Sequence, residues 1–260
     1  MFKRFLTLPE NKAIDIDSPD IINHHKNIIK SKNFLKKIYF EWYNLIADSI
    51  PKGSGKILEL GSGGGFLKEI IPEAVTSEIY PISGKNIDLT LDACREIPFN
   101  DGDLKAIVMV DVLHHLPDVE SFFMLAGNSL KRGGSIIMIE PWYTPWSGLV
   151  YKKLHHEAFD PDVKCWDFPS SGPLSGANGA LPWIVFERDK KIFSEKFPNY
   201  EILKIKKIMP FSYLLSGGFS YKSFLPESCY NVTRKLEKYL GIESICAMFS
   251  YIHIYKKFNI

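Results

Sequence analysis

The sequence contains 260 residues, of which 45% are hydrophobic and 24% are charged, and its formal net charge is +2. That length suits one large α/β domain with modest insertions and leaves too little chain for two full domains. The four cysteines are widely spaced and form no CxxC or histidine-paired pattern. This argues against a disulfide framework or a zinc site and favours a reducing, cytoplasmic compartment. The cysteines are Cys94, Cys165, Cys229 and Cys246.

The charges are distributed unevenly along the chain. Residues 51–186 carry 11 basic and 17 acidic side chains, whereas residues 187–260 carry 13 and 7. The basic excess is diffuse and lacks the dense Lys/Arg tracts of nucleic-acid-binding proteins, so nucleic acid is not the expected partner. The N-terminal apolar run is too short for a signal peptide, and no stretch reaches the roughly 20 apolar residues of a membrane helix. Peripheral contact with a membrane surface stays open.

The first predicted elements surround a glycine cluster. Apolar residues at spacings of three and four predict an amphipathic helix over 31–50, which we expect to cover a ligand cleft. The sequence KILEL at 56–60 predicts a short strand that ends at a run of glycines. The following FLKEII predicts a helix that ends before Pro72, so strand, glycine loop and helix follow one another.

Further along, predicted strands alternate with predicted helices. Residues 74–80, 87–91 and 106–110 predict the second, third and fourth strands, and the last is continuously apolar, as in a parallel strand covered on both faces. A helix at 119–130 precedes a fifth strand, SIIMIE, which ends at Glu140. We then predict a helix at 186–197, a strand at 201–209, a helix at 226–240 and a last strand at 245–255. This alternation predicts a Rossmann-like, doubly wound, mostly parallel α/β sheet.

Residues 141–182 interrupt the alternation with an aromatic insertion after the fifth strand. The insertion is rich in Pro, Gly and Ser, and four of the five tryptophans lie in it or beside it. Long loops in compact domains are often functional, although a small hydrophobic core under the loop is the structural alternative. The later stretch 209–226 is apolar and aromatic around Gly217 and Gly218, which is typical of a flexible lid, a lipid-facing surface or a core segment.

The clearest sign of a ligand site is ILELGSGGG, in which Gly61, Gly63 and Gly65 form a GxGxG turn after a strand. Glycines let the backbone approach a ligand closely, and amides at a helix start favour an anionic group. A dinucleotide fingerprint would place a glycine where this chain has Phe66, which disfavours a nicotinamide-dependent oxidoreductase. Glu78, at the end of the second strand, is positioned to accept the hydroxyls of a ribose.

The segments IDLTLDA and REIPFNDGDLKAIVMVDVLHHLPD complete a recognisable order of motifs. Over residues 56–140 the chain resembles class I S-adenosylmethionine-dependent methyltransferases and is close to their type 11 group. The resemblance implies seven strands with the last one antiparallel, S-adenosyl-L-methionine as cofactor, S-adenosyl-L-homocysteine as product and a small-molecule acceptor. It divides the chain into an N-terminal helical cap at 1–50 and a methyltransferase domain at 51–260, with the 141–182 insertion on the acceptor side.

The resemblance also implies a set of cofactor-binding residues. The residues under the methionine part are Glu59, Gly61, Gly63 and Gly65, and the carboxylate that holds the ribose is Glu78. The adenine is contacted by Asp92 and Ala93. The residues that flank the cofactor are Asp111, Val112 and His115. The chain departs from the family pattern in the polar strand VTSE and in Pro81 and Gly84, which lie between the two acidic positions.

Candidate acceptor residues lie in KKLHHEAFDP, which places His155, His156 and Glu157 after the fifth strand, where acceptor sites occur in this fold. We hypothesise that His155 or His156 is the base for an acceptor hydroxyl and that Glu157 orients it. Aromatic residues would wall the acceptor pocket; they are Trp142, Tyr143 and Trp146. The structural alternative is one histidine bound to backbone and the other in solvent. Successive helical residues do not converge on one ion, so no metal site is predicted.

The sequence therefore predicts methyl transfer from S-adenosylmethionine to a small or medium acceptor, with a hydroxyl favoured by the histidines and apolar walls. Surface-polysaccharide or lipid metabolism is the expected setting by family analogy. Two alternatives stay open: an NAD-dependent Rossmann oxidoreductase, and a non-catalytic protein that binds the cofactor in a regulatory role. Nothing in the sequence specifies the oligomeric state.

Overall fold

A seven-stranded sheet in the order β3-β2-β1-β4-β5-β7-β6 forms the centre of the computed structural model, which describes residues 7–8, 15–82, 87–155, 157–169, 172 and 174–258. Strands β1 to β5 pair in parallel, whereas β7 is antiparallel to both β5 and β6. The predicted Rossmann-like sheet with an antiparallel last strand is confirmed. The strands are β1 (Lys56–Leu60), β2 (Val75–Glu78), β3 (Leu89–Thr90), β4 (Leu104–Val110), β5 (Leu130–Pro141), β6 (Tyr200–Ile208) and β7 (Phe249–Lys256).

Helices cover both faces of this sheet. They are α1 (Asp20–Ser31), α2 (Asn33–Ala47), α3 (Val119–Ser129), α4 (Pro145–Leu154), α5 (Leu181–Trp183), α6 (Lys190–Lys196), α7 (Ser212–Ser216), α8 (Tyr230–Leu240) and α9 (Glu243–Cys246). Single 3₁₀ turns occur at Leu67–Glu69, Leu113–His115 and Glu227–Cys229, and a π-helical segment at Ile184–Arg188 joins α5 to α6. Within the described ranges, no helix is both long and apolar enough to cross a membrane.

The central strands β4 and β5 are buried on both faces, which explains their continuous apolar sequences. Ile107 and Val108 in β4, and Ile137 and Ile139 in β5, are almost fully removed from solvent. Because parallel strands point their carboxyl ends to one edge of a sheet, the residues that follow β1, β2, β4 and β5 meet there. This edge carries the candidate site.

The N-terminal helices pack over the same edge. The predicted amphipathic helix is α2, which buries Phe34, Ile38 and Trp42 along one face. The Trp42 ring lies 4.8 Å from the ring of Phe249 in β7. A helix that we did not predict, α1, precedes it and buries its own isoleucines, including Ile29. The first of the two long N-terminal helices was therefore missed.

Two predicted elements differ most from the observed ones. The helix expected after the glycine loop is only a 3₁₀ turn at Leu67–Glu69. Six residues separate Gly65 from Pro72, and helix formation fixes several residues before the first hydrogen bond stabilises them, so this segment is too short. The last strand begins at Phe249 instead of residue 245, because Glu243–Cys246 form α9.

Candidate active site

A cavity of about 600 Å³ lies at the carboxyl edge of the sheet and extends from the glycine loop to the insertion. One end is lined by the loop and by Glu78 and Asp92, and the other by His115, His155 and Glu157. Most of the cofactor residues implied by the resemblance therefore share one cavity with His155 and Glu157 of the proposed acceptor residues. The cofactor-side lining contains Gly61, Gly63, Gly65, Glu78, Asp92, Ala93, Asp111 and Val112.

The glycine loop adopts backbone conformations that side chains disfavour. Gly61 and Gly63 have φ angles of +60° and +48°, in the left-handed region that glycine enters without a steric penalty. A Cβ atom at Gly61 would lie 2.5 Å from Cγ2 of Val112, and one at Gly63 would lie 3.7 Å from Oε1 of Glu78. The missing side chains thus leave room between the loop and the strand ends that face it.

Glu78 and Glu59 hold this loop from two sides. The Glu78 carboxylate accepts hydrogen bonds from the backbone N–H groups of Gly63 and Ile79. Burial raises the pKa of Glu78, although these hydrogen bonds oppose the shift. Glu59 is buried beneath the loop, beside Ser62 and Tyr43, and burial raises its pKa to about 7. Glu59 does not line the cavity, so it contacts the loop from below.

The proposed adenine residues lie where β3 ends. Asp92 and Ala93 both line the cavity. One carboxylate oxygen of Asp92 accepts a hydrogen bond of 2.9 Å from the Cys94 N–H, and the other lies 3.2 Å from Nε of Arg95. Arg95 also lines the cavity and was not among the predicted site residues.

Asp111 and Val112 follow β4 directly. Asp111 has a φ of 59°, an uncommon value for a residue with a side chain. Its N–H donates to the Ile139 carbonyl oxygen at 2.9 Å, which fixes the turn against β5. Burial raises the pKa of Asp111 to about 8; the charge of His114 lowers it, and Glu140 and Glu157 raise it further. The sharp turn directs Asp111 and Val112 into the cavity.

A cluster of histidines and glutamates forms the acceptor end. Oε2 of Glu157 lies 3.4 Å from Nε2 of His114 and 3.6 Å from Nδ1 of His155, and Oε1 lies 3.7 Å from Nε2 of His115. The backbone N–H of Glu157 donates to Nδ1 of His155 at 3.3 Å. The three histidines hold the pKa of Glu157 well below its usual range against the opposing effect of burial.

Glu140, at the end of β5, supports this cluster from below. Its Oε1 accepts hydrogen bonds from the N–H groups of Val112 and Leu113 at 2.9 and 2.7 Å. Its Oε2 lies 2.8 Å from Nδ1 of His114. Burial lowers the pKa of His114, but the hydrogen bonds and charges of Glu140 and Glu157 outweigh burial and raise it to about 10.

Our sequence interpretation missed two members of this network. Neither His114 nor Glu140 was among the predicted site residues. The available signal was the carboxylate that ends the apolar run SIIMIE, since a charged residue there is buried at the edge where ligands bind. His155 is the C-terminal cap of α4, directly after Leu154, and Glu157 lies beyond the helix. His156 lies outside the described residues.

The three aromatic residues expected to wall the acceptor pocket do not line the cavity. Trp142 is fully buried in the core. Tyr143 packs against Trp183, with ring centroids 4.9 Å apart, and Nε1 of Trp146 donates to the Pro210 carbonyl oxygen at 3.1 Å. The structure therefore places these three residues outside the lining of this cavity. The alternative of a hydrophobic core under the insertion describes these residues better.

The cavity is covered by α1 and by residues 217–221, the segment expected as a lid, lipid-facing surface or core. Lys32, at the end of α1, donates from Nζ to the carbonyl oxygens of Gly218 and Tyr221. The His25 ring stacks on Phe219 with centroids 4.2 Å apart. Both elements line the cavity from above, and we call them together the roof.

This chain is similar to a family model and to several solved structures. Residues 58–138 match the family model described as Methyltransferase domain. No curated protein matched the chain. A solved S-adenosylmethionine-dependent methyltransferase from Thermotoga maritima has a TM-score of 0.56 at 15% identity, covering 92% of this chain and 97% of that chain.

Two further solved structures are similar. One is a chain of the Haloferax volcanii complex between the Trm112 methyltransferase activator and a methyltransferase, with a TM-score of 0.52 at 9% identity, covering 90% of this chain and 94% of that chain. The other is an S-adenosylmethionine-dependent methyltransferase from Archaeoglobus fulgidus, with a TM-score of 0.50 at 15% identity and coverages of 85% and 94%. These similarities extend over most of the chain and show a shared fold.

Proposed function

Because this chain is a class I S-adenosylmethionine-dependent methyltransferase, we propose that it methylates a hydroxyl group of a small or medium acceptor. The observation that carries this proposal is the cavity itself, in which Glu157 and His155 face the same space as the glycine loop. A carboxylate beside an imidazole is the arrangement expected of a base and the group that orients it. The acceptor would bind at this end of the cavity.

The cofactor end fits S-adenosylmethionine. A Cβ atom at Gly63 would enter the space in front of the Glu78 carboxylate, so the loop keeps a cradle open. Glu78 would accept the ribose hydroxyls, and Asp92 with Ala93 would contact the adenine. When bound, S-adenosylmethionine supplies a methyl group activated by the positive sulfur. The remaining proposed contacts come from Gly61, Gly65, Asp111, Val112 and His115, with Glu59 holding the loop from below.

The acceptor end would hold and move one proton. In the proposed mechanism, Nε2 of His155 takes the proton of the acceptor hydroxyl, and the Glu157 carboxylate, 3.6 Å from Nδ1, stabilises the imidazolium that forms. The roof excludes water and keeps the acceptor oxygen in position. His156, the other candidate base, is adjacent in sequence, so the test must separate the two histidines.

The first experiment identifies the cofactor. We would titrate the purified chain calorimetrically with S-adenosylmethionine, S-adenosylhomocysteine and NAD, and repeat the titration with Gly63→Arg and Asp92→Ala. We expect the first two ligands to bind and both variants to lose at least about tenfold in affinity. Binding of NAD alone would favour an oxidoreductase, and binding without turnover on any acceptor would favour a non-catalytic role.

The second experiment tests the acceptor and the base. We would measure S-adenosylhomocysteine formation with sugar alcohols, lipid alcohols and matched amines, in line with the polysaccharide or lipid setting. His155→Gln should lower kcat by about 10²- to 10⁴-fold with S-adenosylhomocysteine affinity unchanged, as for loss of a general base. His156→Gln and the control Lys153→Gln should retain activity. Turnover with amines only, or full activity in the His155→Gln, His156→Gln double variant, would refute the proposal.

A further inference from the structure

We propose that His114, His115 and Glu157 bind a divalent transition-metal ion, for which Zn²⁺ is the expected occupant. Each residue offers one ligand atom, and these atoms all lie within 4.8 Å of one another. The site would lie at the acceptor end of the cavity, because all three residues line it. This inference deepens the proposed function and rests on it for the role of the metal.

The two measured separations between Glu157 and the histidines are near those of a tetrahedral site. Ligand atoms about 2 Å from a zinc ion are about 3.4 Å from one another in tetrahedral geometry. Glu157 lies 3.4 Å from Nε2 of His114 through one oxygen and 3.7 Å from Nε2 of His115 through the other. Small side-chain rotations would therefore bring the three groups onto one ion. Two imidazoles and one carboxylate form a ligand set that suits zinc.

Glu140 prepares His114 for this role. Metal-binding histidines usually donate their second ring N–H to a carboxylate or carbonyl, which fixes the ring and leaves the other nitrogen for the metal. Here Nδ1 of His114 faces the Glu140 carboxylate at 2.8 Å, so Nε2 is the nitrogen directed at Glu157. Glu140 is itself held by the N–H groups of Val112 and Leu113.

A second group, Asp111 with His114 and Glu140, also brings its ligand atoms together. It is the weaker candidate, because both oxygens of Glu140 already accept hydrogen bonds from backbone and from Nδ1 of His114. The group with Glu157 also opens to the cavity. His114, His115 and Glu157 are therefore the better candidate for the metal site.

Successive residues of one helix do not converge on one ion, but these three residues do not lie on one helix. The proposed ligands come from two separate segments: the 3₁₀ turn after β4 provides the two histidines, and the bend after α4 provides Glu157. Their convergence depends on the packing of the insertion onto the sheet edge. No residue spacing could have revealed it.

Three protein ligands would leave a fourth position open toward the cavity, as in catalytic zinc sites. An acceptor hydroxyl at that position would bind the ion through its oxygen, and coordination to zinc lowers the pKa of a bound O–H group. His155 would then stand beside the bound oxygen as the base. The class of acceptor is accordingly an alcohol that can approach a cation through its oxygen.

The test measures metal binding directly, without turnover. The full chain would be stripped with a chelator and titrated with Zn²⁺ by calorimetry, and with Co²⁺ by its visible absorption. We expect about one ion per chain in a tetrahedral environment. Removal of a residue that only orients a metal ligand typically weakens binding by about 10- to 100-fold. Glu157→Gln and His115→Ala remove ligands themselves and should weaken binding by more than that. Controls are His253→Gln and Glu120→Gln, which lie outside the cavity lining.

Absence of saturable binding by the unaltered chain, or undiminished binding by both site variants, would overturn the inference. S-adenosylhomocysteine is titrated in parallel with each protein to check folding and the cofactor site. Cofactor binding and hydroxyl methylation by chelator-treated protein without metal binding would refute the metal site and leave the proposed function standing. Metal binding without cofactor binding would refute the proposed function instead.

Discussion

Gly64 in the glycine loop packs directly against Lys26 in α1. A Cβ atom at position 64 would overlap the backbone nitrogen of Lys26 and lie 2.6 Å from the carbonyl carbon of His25. Because these neighbours are backbone atoms, they cannot rotate away as a flexible side chain could. The position of α1 over the cavity thus depends on the absence of a side chain at one residue of the loop.

Gly64→Ala should displace α1 from the loop and open the roof. We expect S-adenosylhomocysteine affinity to fall by about tenfold or more, since the loop and roof lose their preorganised contact. Hydrogen exchange in α1 should accelerate more than exchange in β4 and β5. Calorimetry and exchange measured by mass spectrometry would check this, with Ser54→Ala, in an exposed turn, as the matched control. Unchanged affinity and exchange would show that α1 does not close the site.

Glu140→Gln tests the support of the histidine cluster. Glu140 accepts from two backbone N–H groups with one oxygen and faces Nδ1 of His114 with the other. An amide has one oxygen, so either the backbone pair or His114 would face an NH₂ group and lose its acceptor. Because the site is fully buried, we expect a loss of about 1–3 kcal/mol in the free energy of unfolding.

Urea denaturation of this variant would measure the loss, with the exposed Glu73→Gln as control. Cofactor affinity should change little, because Glu140 supports the acceptor end. A variant as stable as the parent would mean that Glu140 and His114 are not coupled in solution.

The alternation of apolar runs and glycine or proline turns was sufficient to predict the sheet. The central strands β1, β4 and β5 contain apolar runs, and each predicted run lies inside the observed strand. The helix after the glycine loop failed because FLKEII has helical spacing but is too short between Gly65 and Pro72. The helical spacing of apolar residues does not show whether the segment is long enough to form a stable helix.

The cofactor end was more predictable than the acceptor end for a physical reason. Its residues occur directly after strands, and parallel strands bring such positions to one edge irrespective of distant packing. The acceptor end depends on how the insertion folds back. Its tryptophans were expected in the pocket, but Trp142 is buried in the core and Trp146 binds the Pro210 carbonyl. Aromatic composition alone does not distinguish a pocket wall from a core.

Glu59 should make stability depend on pH. Burial raises its pKa from about 4.5 in the unfolded chain to about 7 in the folded protein. Between these two values the folded state binds more protons than the unfolded state, so stability falls as pH rises from about 4.5 to 7 and then stays level. The total effect is on the order of 3 kcal/mol at most.

Glu59→Gln should remove this dependence. At pH 8 the variant should be more stable than the parent, since no buried charge is required, whereas at pH 4 the two should be similar. Thermal and urea unfolding across this range would check the sign, with the exposed Glu73→Gln as control. A parent protein whose stability rises between pH 4.5 and 7 relative to Glu59→Gln would contradict the assignment.

Lys32 connects the two halves of the roof. Its ammonium group donates to the carbonyl oxygens of Gly218 and Tyr221, and burial lowers its pKa to about 8. Lys32→Met keeps the length of the side chain but leaves both carbonyls without this donor, at a cost of about 1–3 kcal/mol each if they stay buried. Movement of the segment 217–221 toward water costs less free energy than leaving both carbonyls buried. We therefore expect local opening, with hydrogen exchange at 217–221 accelerated and the global unfolding midpoint changed little.

The control is Lys30→Met, on the exposed side of α1, which removes a similar charge without these contacts and should leave exchange unchanged. If Lys32→Met lowered the global unfolding midpoint while residues 217–221 stayed protected from exchange, Lys32 would be a core residue and not the contact that holds the roof closed.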